Sequence, residues 1–109
     1  MSRNSKDNSM VRYESLLKIS VRYFDYMKHP GIRLGFASFT KGPLSTALKY
    51  VKNVKRTLNE LNKDERDLIN REFFSTRDNP EWWKKYYSKS TYYRKRYFAI
   101  KNFMERYGV

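Results

Sequence analysis

The strongest constraint on the fold lies in residues 80–107, which read P-E-W-W-K-K-Y-Y, then S-K-S-T, then Y-Y-R-K-R-Y-F-A-I-K-N-F-M-E-R-Y. Asn79 can cap a helix whose first position is Pro80, because a proline there gives up no hydrogen bond. A second helix start follows at residues 88–90, where a Ser or Thr oxygen can take the free amides of the first turn. From there Tyr92, Ala99, Ile100, Phe103 and Tyr107 recur at spacings that stack on one helix face, and Gly108 stands where the helix should stop. Ala99 is the one small residue of that face, which predicts close helix–helix approach there. Two helices meeting at a short polar joint, the second rich in Lys, Arg and Tyr, leave little room for β structure in this part of the chain.

The remainder reads the same way. Residues 1–9 are polar and predict a disordered tail. Tyr13, Leu17, Val21 and Phe24, with Leu16 and Met27 beside them, predict a helix over about 11–28, ended by His29-Pro30-Gly31. His29 is the sole histidine and suits a cap or a surface position at a helix end. Residues 31–41 are an apolar connector, a loop pinned by Leu34, Phe36 and Phe39 or a short helix. Gly42-Pro43 opens another helix. Its stripe of Leu44, Ala47, Val51, Val54, Leu58 and Leu61 fits a core face better than a coiled-coil seam of such short length. Lys49, Lys52, Lys55 and Arg56 lie opposite. Asn62 and Glu65 form a capping box for a helix over 63–74, with Leu68, Ile69, Phe73 and Phe74 inward. The expected fold is therefore all-α with about five helices, organised as the tail 1–9, an N-terminal helical part 10–60 packing on or preceding the rest, and a C-terminal unit 61–109.

Charge narrows the partners. In 109 residues there are 24 Lys and Arg against 11 Asp and Glu, a formal net charge of +13. Such a domain repels itself and is suited to a polyanion. The excess is uneven: residues 81–109 carry eight basic against two acidic groups, whereas residues 61–80 carry four against five. The basic segment is the one that ends the helical pair. With no cysteine and one histidine, no thiolate metal site or cysteine nucleophile can form. No Gly-rich phosphate loop and no nucleophile beside a base is present, so neither an enzyme nor a cofactor or metal is expected. Glu65 and Glu72 on one helix fit a cap and a salt bridge better than a catalytic pair. No apolar run can span a bilayer, and residues 1–9 lack the apolar core of a signal peptide, so a cytoplasmic protein is expected.

These features together suggest a helix-turn-helix whose last helix faces duplex DNA. Lys89, Ser90, Thr91, Tyr93, Arg94, Tyr97 and Lys101 fall mostly off the apolar face, most of them near the helix start, the part that reaches base edges in such motifs. Lys89 and Arg94 can meet guanine edges or phosphates. Ser90 and Thr91 can cap the helix or touch phosphate, and Tyr93 and Tyr97 can stack or bond to the backbone. Lys84, Lys85, Lys95 and Lys101 would neutralise flanking phosphates. Trp82 and Trp83 cannot both face one core; one is expected buried, the other against Phe36 and Phe39, a protein partner or DNA.

The run S-K-S-T-Y-Y-R-K-R-Y-F-A-I-K-N-F resembles the last helix of sigma-70 region 4 and of phage regulators of the ArpU type. Ser88, Ser90, Thr91, Tyr93, Arg94, Arg96, Ala99, Ile100, Lys101 and Phe103 match their pattern. Upstream, L-N-K-D-E-R-D-L-I is similar to the start of their support helix at Leu61, Glu65, Arg66, Leu68 and Ile69. The chain also looks like a family of small basic mollicute proteins with the same Y-Y-S-K-S-T-Y-Y-R-type motif. The likeness covers residues 58–107. It departs at the joint, where Tyr86-Tyr87 stand in place of a small residue, and in Trp82-Trp83-Lys84-Lys85-Tyr86, where Ile-Ala-x-x-Leu is usual. It implies a sigma region 4-like transcription regulator, with duplex DNA and RNA polymerase as partners. The residues also admit an RNA-binding or ribosome-associated protein and a protein-interaction module built on the 44–61 stripe and the Trp pair.

Overall fold

The computed structural model describes residues 4–34, 43–75 and 79–108. Among them are five α-helices, α1 (Asn4–Met27), α2 (Pro30–Arg33), α3 (Pro43–Glu60), α4 (Lys63–Phe73) and α5 (Lys89–Tyr107), a 3-10 turn at Trp82–Lys85, and no strand. The fold is all-α, as the periodicities predict. Phe36 and Phe39 lie outside the described residues.

Local chemistry sets most of the helix ends. At α4 the Asn62 side chain accepts the Glu65 amide at 2.8 Å, and the Glu65 carboxylate accepts the Asn62 amide at 3.4 Å. This reciprocal box satisfies two amides that a helix start leaves free. At α5 the Ser88 hydroxyl oxygen accepts the Thr91 amide at 3.3 Å. The helix ends at Gly108, whose φ of 88° is left-handed, a conformation in which a Cβ would crowd the backbone. His29 does not serve the end of α1. Its Nδ1 accepts the Gly31 amide at 3.0 Å and so caps α2, whose first residue is Pro30.

One core joins α1, α3, α4 and α5. It is built from Leu16 and Ile19, Val54, Leu61, then Leu68, Ile69 and Phe73, then Ala99, Ile100, Phe103 and Met104. Burying a Leu, Ile or Phe side chain contributes roughly 1.5–3 kcal/mol, so this cluster is the main source of stability. Residues from both 10–60 and 61–109 contribute to it. Ile32, Ala47 and Val51 form a smaller cluster where α2 meets α3. The stripe on α3 is thus spent inside the molecule. Thr57 is buried in it with its hydroxyl donating to the Asn53 carbonyl at 2.8 Å, so it leaves no polar atom unpaired. No helix among the described residues is long and apolar enough to cross a membrane.

Three expectations need correction. Helix α1 begins at Asn4 rather than near Val11, so residues 4–9 of the expected disordered tail are helical. Once the part from Tyr13 onward is docked, each further residue adds a backbone bond without a new nucleation cost. The buried face of α1 is also rotated. Leu16, Ile19 and Ser20 are buried, whereas Leu17 is 44% and Val21 55% exposed. Rings from α4 and its end decide this: Tyr13 meets Phe73 edge-on at 5.4 Å and Tyr23 meets Phe74 at 5.2 Å. Ser20, its hydroxyl bonded to the Leu17 carbonyl at 2.7 Å, is small enough to lie between.

The third correction concerns the aromatic helix expected from Pro80 to Tyr87. Asn79 caps a turn there, accepting the Glu81 amide at 2.8 Å, but only one 3-10 turn follows. Tyr86 and Tyr87 both donate their amides to the Trp83 carbonyl, which closes that turn before Ser88 restarts the chain as α5. A segment this short has little helical stability of its own, and short 3-10 pieces are common connectors. Here the bonds of its indoles fix its shape.

Candidate nucleic-acid interface

Glu72, near the end of α4, ties three elements together. Its Oε1 accepts the Trp82 indole N–H at 3.1 Å and also the Tyr92 hydroxyl. Trp83 stacks on Tyr92, centroids 4.5 Å apart and 9° from parallel. Arg71 lies over Trp82 at 5.0 Å. Both indoles are half-buried: Trp82 packs against the shared core, as expected of one of the pair, and Trp83 lies on Tyr92 of α5. Among the described residues Glu72 is a hydrogen-bond hub and makes no salt bridge. Glu65 serves the cap and accepts from the Asn102 side chain of α5. The start and the end of α4 are therefore each pinned to α5.

Burial, and then the Glu72 carboxylate, push the Tyr92 pKa well above the ordinary tyrosine value; burial, and then Tyr107, do the same to Tyr50. In the unfolded chain both ionise near pH 10. Above that pH the folded state holds protons that the unfolded state has released, so stability must fall as pH rises. We expect the melting temperature to be flat approaching pH 10 and to drop beyond it. A Tyr50→Phe, Tyr92→Phe double variant should lose most of that slope; an unchanged slope would place the alkaline sensitivity in other groups.

Helix α5 presents two contrasting faces. Tyr92, Ala99, Ile100, Phe103 and Met104 are buried, adding Met104 to the face read from the sequence. Opposite them Lys89, Ser90, Arg94 and Phe98 are exposed and Tyr97 is 36% exposed, while Thr91, Lys95 and Lys101 are half-buried at the flanks. Tyr93 is 44% exposed yet packs beside Tyr92 at 5.1 Å, combining surface and packing roles. Thr91 takes a hydrogen bond from the Ser88 hydroxyl at 3.0 Å, so it belongs to the cap. Lys84 pairs with Glu81 at 3.0 Å and Lys101 with Glu105 at 2.9 Å. Exposed pairs of this kind contribute about 0–1 kcal/mol, so a phosphate can compete for either lysine. Lys95 lies over the Tyr87 ring at 5.3 Å. Lys85, Lys89 and Arg94 make no ion pair among the described residues. Residues 82–104 carry seven Lys and Arg and no Asp or Glu.

Two grooves flank this face. One, of about 580 Å³, lies between the start of α4 and α5, with Leu68 and Phe98 as apolar walls. Lys63, Arg94 and Lys95 face Asp64 and Glu65 in it, so much of its charge is internally balanced. The other, of about 280 Å³, lies between α1 and α5; among the described residues it is lined by Arg12, Tyr13, Tyr93, Arg96 and Tyr97 and by no acidic side chain. The sequence pointed to Tyr93 and Tyr97 but gave no reason to single out Arg12, whose meeting with α5 is a tertiary event. Among the described residues no cluster of three His, Cys, Asp or Glu could hold a metal ion. In comparisons with known proteins, no family model, no curated protein and no solved structure matches the chain.

Proposed function

We propose that the chain is a DNA-binding transcription regulator of the sigma region 4-like type, non-enzymatic and cytoplasmic, with α5 entering the major groove and α4 supporting it. The observation that carries this reading is the outer face of α5 and the turn before it: a stretch from residue 82 to 104 with seven Lys and Arg and no Asp or Glu of its own, on a helix whose other face is buried. A helix with its side chains is about 10–12 Å across, which suits a groove about 12 Å wide. The 3-10 turn stands where a helix-turn-helix has its first helix, so the supporting role falls to α4, held to α5 through Glu65 and Glu72. RNA polymerase as a protein partner rests on the family resemblance.

The reading is tested by fluorescence anisotropy with random duplex DNA, single strands and structured RNA across a salt series. If about five phosphates are engaged, log K falls against log salt with a slope of about −4 to −5. Preference for structured RNA would move the protein toward the ribosome. Indifference to all three would turn attention to a protein partner. Once a preferred site is selected, Arg94→Ala should weaken binding to it by about 1–3 kcal/mol, through loss of a base contact, and weaken binding to random duplex less. Equal losses on both would make Arg94 a phosphate contact.

A further inference from the structure

We propose that the groove between α1 and α5 binds one unstacked nucleotide, its phosphate between Arg12 and Arg96 and its base on the ring of Tyr97. This deepens the nucleic-acid reading above by giving it a second, single-strand site.

The electrostatics come first. Arg96 is half-buried and faces the groove, yet no carboxylate pairs with it among the described residues. Its guanidinium is held between rings instead, 4.9 Å from Tyr13 on α1 and 4.9 Å from Tyr93 on α5, with Tyr92 at 5.8 Å. Ring faces steady the cation but do not neutralise it. Arg12 lines the same groove from the opposite helix. Glu105 senses Arg12, but its carboxylate is bonded to Lys101 at 2.9 Å. Two guanidinium groups thus line one small space with no carboxylate beside them in its lining among the described residues, a setting suited to a phosphate. The larger groove beside α4 lacks this property, because Asp64 and Glu65 stand in it.

The aromatic lining argues for a base as well as a phosphate. One side of Tyr93 is taken up by Arg96. Tyr97 is different: among the described residues its ring neighbour is Phe98, at 5.1 Å and 81° edge-on, and no cation lies over it. That leaves a ring for stacking beside the two arginines. A cleft of about 280 Å³ is at the small end of ligand sites and suits one nucleotide rather than a duplex. Pairing a cationic track with single stacking rings is how single strands are held without much regard to sequence.

The test uses the full chain and three labelled probes in one buffer: a short oligothymidylate, an abasic strand of equal length, and a random duplex. Oligothymidylate should bind more tightly than the abasic strand. Arg12→Gln and Ser9→Glu should each weaken it by roughly tenfold, and Tyr97→Ala by a similar factor. Ser9 is half-exposed and lines the groove, so a carboxylate introduced there would repel the phosphate without disturbing the core. Neither α1 residue belongs to the duplex-facing set, so both variants should keep duplex affinity within about threefold. Circular dichroism confirms that they fold. Equal binding of abasic and thymidylate strands, or no loss in either α1 variant, would overturn the site. Duplex binding sensitive to Arg94 without any oligothymidylate binding would overturn it while leaving the major-groove reading intact. Oligothymidylate binding lost in both α1 variants, with no duplex binding, would do the reverse.

Discussion

Ala99→Glu should unfold the entire chain in a single transition, and not the C-terminal half alone. Ala99 is 1% exposed, on the face of α5 that enters the shared core. Glutamate there must place a carboxyl group among Leu16, Ile69 and Phe103 or force the helices apart. Burying a charge without a partner costs several kcal/mol even after relaxation, and overpacking adds about 1–3 kcal/mol. A domain of this size has a total stability of about 5–15 kcal/mol. Because α1 and α3 contribute Leu16, Ile19 and Val54 to the same cluster, they keep without it only the small cluster of Ile32, Ala47 and Val51. Circular dichroism at 222 nm should show most helicity gone at room temperature. If about half remained and melted cooperatively, residues 10–60 would be an independent unit and the single-core description would fail.

Phe103→Ala should leave a folded protein that is about 3–5 kcal/mol less stable. Phe103 is fully buried, stacked on Tyr107 at 5.6 Å and tilted against Phe74 at 6.3 Å. Its removal opens a cavity where α5 meets the end of α4, and Tyr107, near the last turn of α5, can fill only part of it. At about 4–8 °C per kcal/mol, the melting temperature should drop by at least ~12 °C. Duplex affinity measured well below that temperature should be nearly unchanged, because no outward residue of α5 is touched. A loss below about 1 kcal/mol would mean that the neighbouring rings close the gap, and that packing here is looser than the ring distances imply.

The sequence was most legible where the deciding partner is close along the chain. The Asn62–Glu65 box and the Gly108 stop stand as the spacing predicts, and α5 restarts within the expected 88–90, though its cap is Ser88 and Ser90 lies inside the helix; each involves residues within a turn of one another. The stripe on α3 was equally plain. Legibility ended where the partner is distant. Leu16 and Leu17 are interchangeable to any periodicity; what selects Leu16 is the placement of Phe73 and Phe74, more than fifty residues away. The same holds at Trp82-Trp83, where helical spacing invites a helix and Glu72 with Tyr92 produce a 3-10 turn. On the candidate interface, composition identified the cations of α5. The groove beyond it depends on Arg12, which lies more than eighty residues from Tyr97 and reads alone as one more surface charge.

The placement of the indoles has an optical consequence. The chain has two tryptophans, and both sit in the turn that joins α4 to α5. One is bonded to a carboxylate and the other lies flat on a phenol ring. Excitation at the red edge, where tyrosine does not absorb, therefore interrogates this single joint and no other part of the molecule. Any ligand that shifts α5 against α4 changes the distance from indole to carboxylate and the overlap with Tyr92, and so changes emission colour and intensity together. A ligand that settles on the outer face without moving the helix alters neither. The unlabelled protein thus carries its own gauge for whether its partner is met by a rigid surface or by a hinge.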